Sequence, residues 1–320
     1  MGLASLLVWV MAVSPQSAHA QGDGPRTHWK EMLTDTNIVN LTYLHGSGNV
    51  NPLDPAYSML MGVDADFSAD LSLVGYSRSF SLFDRTAMAS VLWPVGELQA
   101  DTTAGMITTS DSARGFGDPI FQFDVNLIGA PAMRGIPDLL RYEPKFTMDF
   151  VASLAIPIGE YDGDSSANIG QNRWYGRVGF PMMYNLGEWV PGRRTTLEFL
   201  PAVWFFGDND DFLGDNAETD PLFQLEGHLT RDFTEKFWGS LDAVYYTGGE
   251  STIGALTTTE LGDLGVGFTF GYEINENMML TAGYTVTTSD GMDDLDLGMF
   301  RINLVTGWHN LIEGMQRLAR

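Results

Sequence analysis

The sequence predicts an all-β fold: a transmembrane antiparallel β-barrel of about twelve strands, of the bacterial outer-membrane type. Three observations carry this. Apolar and polar residues alternate in one segment after another of roughly ten residues, so each segment has an apolar and a polar face. The connections alternate between short turns and long polar loops, as in a barrel with two unlike rims. The chain opens on an export leader, yet beyond it no run of about 18 apolar residues offers a membrane helix.

Composition fits. The 320 residues include 36 Gly, and 12% are aromatic, which suits strands and turns better than helices. With no cysteine, disulfides and thiolate metal sites are excluded. Lys+Arg number 17 against 41 Asp+Glu, a net charge of -24, which argues against nucleic acid as a partner.

Residues 1–20 read as a signal peptide: Leu3 to Val13 is a short apolar core, and Ala18-His19-Ala20 is a small-x-small cleavage site. The segment 21–35 is expected to lie in the periplasm, 36–308 to form the barrel, and 309–320 to be a tail. Strand cores are expected at 36–44, 60–82, 86–97, 115–129, 142–159 and 173–187, then at 195–207, 221–232, 236–248, 260–274, 277–288 and 295–308.

The fourth core alternates Phe121, Phe123, Val125 and Leu127 with Gln122, Asp124 and Asn126. In the fifth, Met148, Phe150, Ala152 and Leu154 share a face; in the seventh, Leu197, Phe199, Val203 and Phe205 oppose Glu198 and Trp204. Phe223, Leu225 and Leu229 oppose Gln224, Glu226 and His228, and Phe237, Leu241, Ala243 and Tyr245 oppose Ser240 and Asp242. Leu264 to Tyr272 and Phe300 to Leu304 repeat the pattern, the latter opposite Arg301 and Asn303. In the second core the alternation weakens between Ser68 and Phe80.

Short turns fall at Phe83 to Arg85, Gly187 to Arg194, Arg231 to Lys236 and Ile274 to Asn277, with Gly129 to Tyr142 a longer exception. Long polar loops fall at His45 to Tyr57, Glu97 to Arg114, Glu160 to Asn172, Gly207 to Asp220, Gly248 to Glu260 and Ser289 to Asp294. Trp93, Trp174, Trp189, Trp204, Tyr245, Tyr246 and Trp308 cluster near strand ends, where interfacial girdles sit.

A charge on the lipid face costs about 2–4 kcal/mol at mid-bilayer, so the polar faces must look inward. The expected lumen lining is Gln122, Asp124, Asn126, Asp149, Glu198 and Glu226, with His228, Asp242, Arg78, Arg177 and Arg301. Two readings stay open: these groups line an aqueous pore that selects by charge, or they pair and fill a narrow lumen.

No catalytic set, cofactor site or metal site emerges. The Asp- and Gly-rich loops lack the spacing of a dedicated Ca²⁺ loop, and are expected to meet lipopolysaccharide with divalent cations between. Only His228 lies mid-strand, and His-pair zinc spacing is absent.

Several stretches resemble an outer-membrane transporter family labelled "Putative MetA-pathway of phenol degradation". They are "GFGDP" (Gly115–Pro119), "NLIGAPAM" (Asn126–Met133), "AIPIGEYD" (Ala155–Asp162), "NIGQNRW" (Asn168–Trp174), "FGDN" (Phe206–Asn209), Asp220-Pro221-Leu222 and "YTGGE" (Tyr246–Glu250). The resemblance implies a closed barrel that passes small, often aromatic, compounds. Outer-membrane barrels usually end on an aromatic; here Trp308 takes that place and twelve residues follow it.

The expected function is therefore a porin-like outer-membrane channel for passive uptake of small hydrophobic or aromatic permeants, surrounded by lipid and lipopolysaccharide. The alternatives are an outer-membrane barrel enzyme of lipase or protease type, and a structural or adhesive barrel with acidic loops.

Overall fold

The structure, a computed structural model, describes residues 23–51, 64–104, 106–258, 260–288 and 296–310. The expected leader and most of the expected tail lie outside the described residues. So do residues 52–63 and 289–295, including the acidic loop Ser289 to Asp294.

The strands in chain order are β1 (Asn37–Gly48), β2 (Asp64–Leu82), β3 (Arg85–Ala104), β4 (Ile107–Phe116), β5 (Ile120–Ile128), β6 (Phe146–Ala155), β7 (Tyr175–Gly179), β8 (Met182–Asn185) and β9 (Thr195–Phe206). They continue as β10 (Asn209–Phe212), β11 (Asp215–Thr219), β12 (Leu222–Asp232), β13 (Phe237–Gly248), β14 (Ser251–Ile253), β15 (Leu256–Thr257), β16 (Leu261–Asn275), β17 (Met278–Thr288) and β18 (Asp296–Trp308). A five-residue helix, α1 (Ile136–Leu140), lies in the β5–β6 connection.

Fourteen of these segments form one antiparallel sheet. Two pairs share a single wall position: β4 and β5 both pair with β3, and β7 and β8 both lie between β6 and β9. That leaves a 12-strand wall, as the turn and loop spacing predicts. It closes where β1 meets β18, in unbroken register from Asn37↔Trp308 to Gly48↔Leu297. Closure satisfies the backbone groups that an open edge would present to lipid.

The breaks have local causes. Between β4 and β5, Pro119 lacks an N–H, and Asp118 accepts hydrogen bonds from the Gly159 and Gln171 amides at 2.8 Å each. Between β7 and β8, Pro181 interrupts the strand, but its carbonyl still accepts from the Asp149 amide at 2.8 Å.

Outward faces are apolar. Leu41, Val74, Phe121, Leu154, Phe199, Leu225, Leu241, Phe268, Leu280 and Ile302, spread over ten wall strands, are all at least 36% exposed. An apolar surface that encircles the molecule far exceeds the patches tolerated in water, so its solvent is lipid. Trp93, Trp174 and Tyr245 join this surface, whereas Trp204 and Tyr246 are buried and point inward.

One rim carries tight turns. The β2–β3 turn is only Phe83-Asp84, with φ of 49° and 59°, the left-handed pair of a type I′ hairpin. At the other rim β3 and β4 pair from Ala104↔Ile107 down to Val95↔Phe116. The polar stretch Glu97 to Arg114, expected as a loop, is thus a projecting hairpin, because its Thr and Ser residues suit a solvated ladder. The long loops after β9 and β13 likewise fold into a second sheet of four strands, β10-β11-β14-β15.

Candidate functional site: the filled lumen

The segment 23–35, expected in the periplasm, instead folds up into the barrel. It enters at the short-turn rim, where the Asp35 amide donates to the Ser79 carbonyl at 2.9 Å and the Thr34 amide to the Met133 carbonyl at 2.8 Å. Its far end at Asp23 lies at mid-barrel. The reason is charge. The inward carboxylates Asp124, Asp149 and Asp232 are buried, and the segment supplies Arg26, His28 and Lys30 as partners.

Five cationic side chains hold it through buried ionic contacts. Arg177 Nη2 donates to both carboxylate oxygens of Asp23 at 2.8 Å. Arg26 Nη2 donates to Asp232 Oδ1 at 2.6 Å. The His28 ring lies between Asp23 Oδ2 (2.8 Å) and Asp124 Oδ2 (2.7 Å). Lys30 Nζ, fully buried, lies 3.0 Å from Asp124 Oδ1 and 3.4 Å from Asp149 Oδ2. Arg194 Nη2 donates to Glu31 Oε1 at 2.9 Å.

Backbone amides add to this. Those of Asp23 and Gly24 donate to the two oxygens of Glu226, at 2.9 and 2.7 Å. The Arg26 amide donates to Glu198 Oε2 at 2.8 Å, and Trp29 Nε1 to Glu198 Oε1 at 3.1 Å. The Arg26 guanidinium is stacked between Trp29 and Trp238, 4.3 Å from each ring centroid.

Gly24 is needed here. Its φ is +88°, and a Cβ would lie 2.3 Å from Arg301 Nη2. Burial alone would discharge the His28 ring, but Asp124 and Asp23 outweigh it and lift its pKa to about 9. Burial likewise disfavours the Lys30 ammonium, yet Asp124 and Asp149 hold its pKa above the usual lysine value. Asp23 stays ionised for the same reason: Arg177 and His28 overcome its desolvation.

Of the residues expected to line the lumen, Gln122, Asp124, Asn126, Asp149, Arg177, Glu198, Glu226, His228, Asp242 and Arg301 are on inward positions of their strands. Arg78 is a correction. In β2 the buried inward positions are Leu71, Leu73, Ser77 and Ser79, so Arg78 points out at the short-turn rim and pairs there with exposed Asp35 at 3.1 Å. The rim lies beyond the apolar belt, so a charge is tolerated.

His228 bridges Glu226 Oε1 and Asp242 Oδ1 at 2.7 Å each. Ser240 donates to Asp242 rather than to the histidine, so this cluster is not arranged for nucleophilic attack. Among the described residues, no group of three or more His or acidic side chains is placed to hold a metal.

Above the ionic layer, toward the long-loop rim, an apolar collar lines the inside of the wall. Leu92 pairs across to Ile120, Ile120 to Ala155, and Ala155 to Tyr175. Trp204 pairs to Leu222, and Val244 and Tyr246 complete this side of the collar. All are buried, Leu222 and Trp204 at 0% and 1% exposure. Residue alternation does not reveal this collar, because there the strands are apolar on both faces. The runs Val203-Trp204-Phe205-Phe206 and Val244-Tyr245-Tyr246 are its sequence trace.

The lumen therefore has two closures in series. Between the segment and the wall remains a cleft of about 340 Å³, counting the part open at its mouth, with His28, Trp29, Glu198 and His228 among its lining.

The comparisons with known proteins follow the same geometry. A crystal structure of the COG4313 outer membrane channel from Pseudomonas putida F1 matches over 87% of this chain and 97% of its own, with a TM-score of 0.65 and 14% identity. The transport unit of the autotransporter AIDA-I from Escherichia coli matches over 96% and 97%, at a TM-score of 0.48 and 8% identity. At such identities the first likeness is one of fold. No curated protein matches the chain in sequence. The family model "Putative MetA-pathway of phenol degradation" matches residues 45–295, most of the 320. With its "GFGDP" and "NIGQNRW" stretches tied together through Asp118, the chain belongs to the family described as Putative MetA-pathway of phenol degradation.

Proposed function

We propose that this barrel is a gated outer-membrane channel for small, mainly apolar or aromatic molecules, with its own N-terminal segment as the gate. The carrying observation is the order of the two layers. A solute entering from the long-loop rim first meets an apolar collar, which favours apolar over hydrated solutes. It next meets the segment, which lies across the lumen against Arg177, Glu198 and Glu226. The similar COG4313 protein is named an outer membrane channel, and the family's description points to phenol, which supports the same class of permeant.

The segment suits a gate because, among the described residues, it is joined to the wall by a backbone ladder at one end only. It continues into β1 at the rim, and between there and Asp23 it is held by side chains rather than by a ladder. The acidic loops face outward, where divalent cations between them and lipopolysaccharide would offset like-charge repulsion.

The test is uptake by liposomes containing the purified full-length protein, with phenol and a monosaccharide as solutes. Phenol entry above protein-free liposomes with the sugar excluded supports the reading. Equal entry of both, or of neither, rejects it.

A further inference from the structure

The two closures touch at one residue. Arg177 projects inward from β7, fully buried. Through Nη2 it holds both oxygens of Asp23, the first described residue of the segment, at 2.8 Å. Its guanidinium carbon lies 5.1 Å from the ring centroid of Trp204, its cross-strand partner in β9 and the largest side chain of the collar. Nη1 also donates to Gln224 Oε1 at 3.4 Å, the same oxygen that accepts from Trp204 Nε1 at 2.8 Å.

We propose that Arg177 is the positioning residue that couples the gate to the collar: bound to Asp23 it braces Trp204, and released from Asp23 it lets the collar loosen. This deepens the gated-channel reading and rests on it.

The argument is one of exchanged partners. When the segment withdraws, Arg177 loses Asp23, the carboxylate it holds through both oxygens. At the same moment Glu226 loses the Asp23 and Gly24 amides, keeping His228 on Oε1 at 2.7 Å and Gln224 on Oε2 at 3.1 Å. Gln224 already bridges Arg177 and Glu226, accepting from the first and donating to the second. Glu226, left with acceptor capacity by the departing amides, is thus placed to take over from Asp23 as the counter-ion of Arg177. Their pairing draws the guanidinium from Trp204 toward the short-turn rim and occupies Gln224. The element has two discrete states, each satisfied, which is what coupling between sites requires.

The chain has no cysteine, so a single Val244→Cys reports on the collar and a single Thr27→Cys on the segment. The rate of modification by a polar methanethiosulfonate is read in the full-length protein in liposomes, with heat-modifiable gel mobility as the check that the barrel is folded. Asp23→Asn is expected to speed collar modification about tenfold. Arg177→Lys keeps a cation for Asp23 but not the flat group against Trp204, so it should speed the collar similarly while Thr27→Cys stays protected. Arg134→Gln, which breaks only an exposed rim pair with Asp84, should leave the collar rate unchanged. The proposal is overturned if neither Asp23→Asn nor Arg177→Lys speeds the collar, or if Arg134→Gln speeds it as much. Solute flux is not read, so a barrel silent to phenol would remove the channel reading and leave this result standing.

Discussion

Raising the pH is expected to release the segment through His28. The ring is held between two carboxylates, Asp23 and Asp124, and these lift its pKa from 6.5 to about 9 against the opposing effect of burial. A pKa raised on docking means the stabilisation is fully present below 6.5, the free value, and is lost as pH rises through 9. The difference of about 2.5 units, at about 1.4 kcal/mol each, is on the order of 3 kcal/mol, or about 300-fold in the docking equilibrium. Within the segment, Asp23 is already ionised and Lys30 is held above the usual lysine value, so neither titrates with the ring. The assay is single-channel recording of the purified protein between about pH 6 and pH 10. The conducting fraction should climb steeply above about pH 8. His28→Gln, unable to carry the charge, should conduct more at pH 7 and show little further rise. A wild-type protein with the same conducting fraction at pH 7 and pH 10, or a His28→Gln variant with the wild-type rise, would refute the assignment.

Gly24→Val places a branched side chain against Arg301 at a left-handed position; it should weaken docking by at least about 2 kcal/mol and raise basal ion conductance in planar bilayers. Trp204→Ala opens the collar, so liposomes should admit bulkier aromatic solutes than the parent, while the buried cavity lowers the urea midpoint by the equivalent of about 3–5 kcal/mol. Phe83 is 90% exposed and left-handed in a type I′ turn, so Phe83→Asn should stabilise the barrel by about 1 kcal/mol in the same denaturation assay. An unchanged or lowered midpoint would show that the phenyl ring gains more from the membrane interface than the backbone loses.

The wall was legible because lipid enforces it. Every strand must keep its apolar face outward, so Phe121, Phe199 and Phe268 mark register as clearly in sequence as in the folded protein. The lumen obeys no such rule, since an inward position may hold a charge, an amide or a large aromatic. Arg78 shows why: at the short-turn rim, five residues before the Phe83-Asp84 turn and beyond the belt, a charge carries no facing information. The segment 23–35 was misread because its Arg26, His28 and Lys30 look like an ordinary solvated stretch; their partners lie some 90 to 200 residues away, at Asp124, Asp149 and Asp232. One signal was available. A mostly acidic lumen, with Asp124, Asp149, Glu198, Glu226 and Asp242 inward against Arg177 and Arg301, calls for further cations, and Arg26, His28 and Lys30 are those the segment brings.

Because its contacts reach β5, β6, β7, β9, β12 and β18, the segment also behaves as a set of spokes inside a hoop. Adjacent strands are joined by their ladders, whereas these spokes tie strands far apart in the wall to one another, so a cross-section that would otherwise flatten under lateral pressure keeps its shape. Lying immediately before β1, the strand that meets β18 to complete the circle, the same piece is placed to serve as a mandrel around which the last seam is drawn shut.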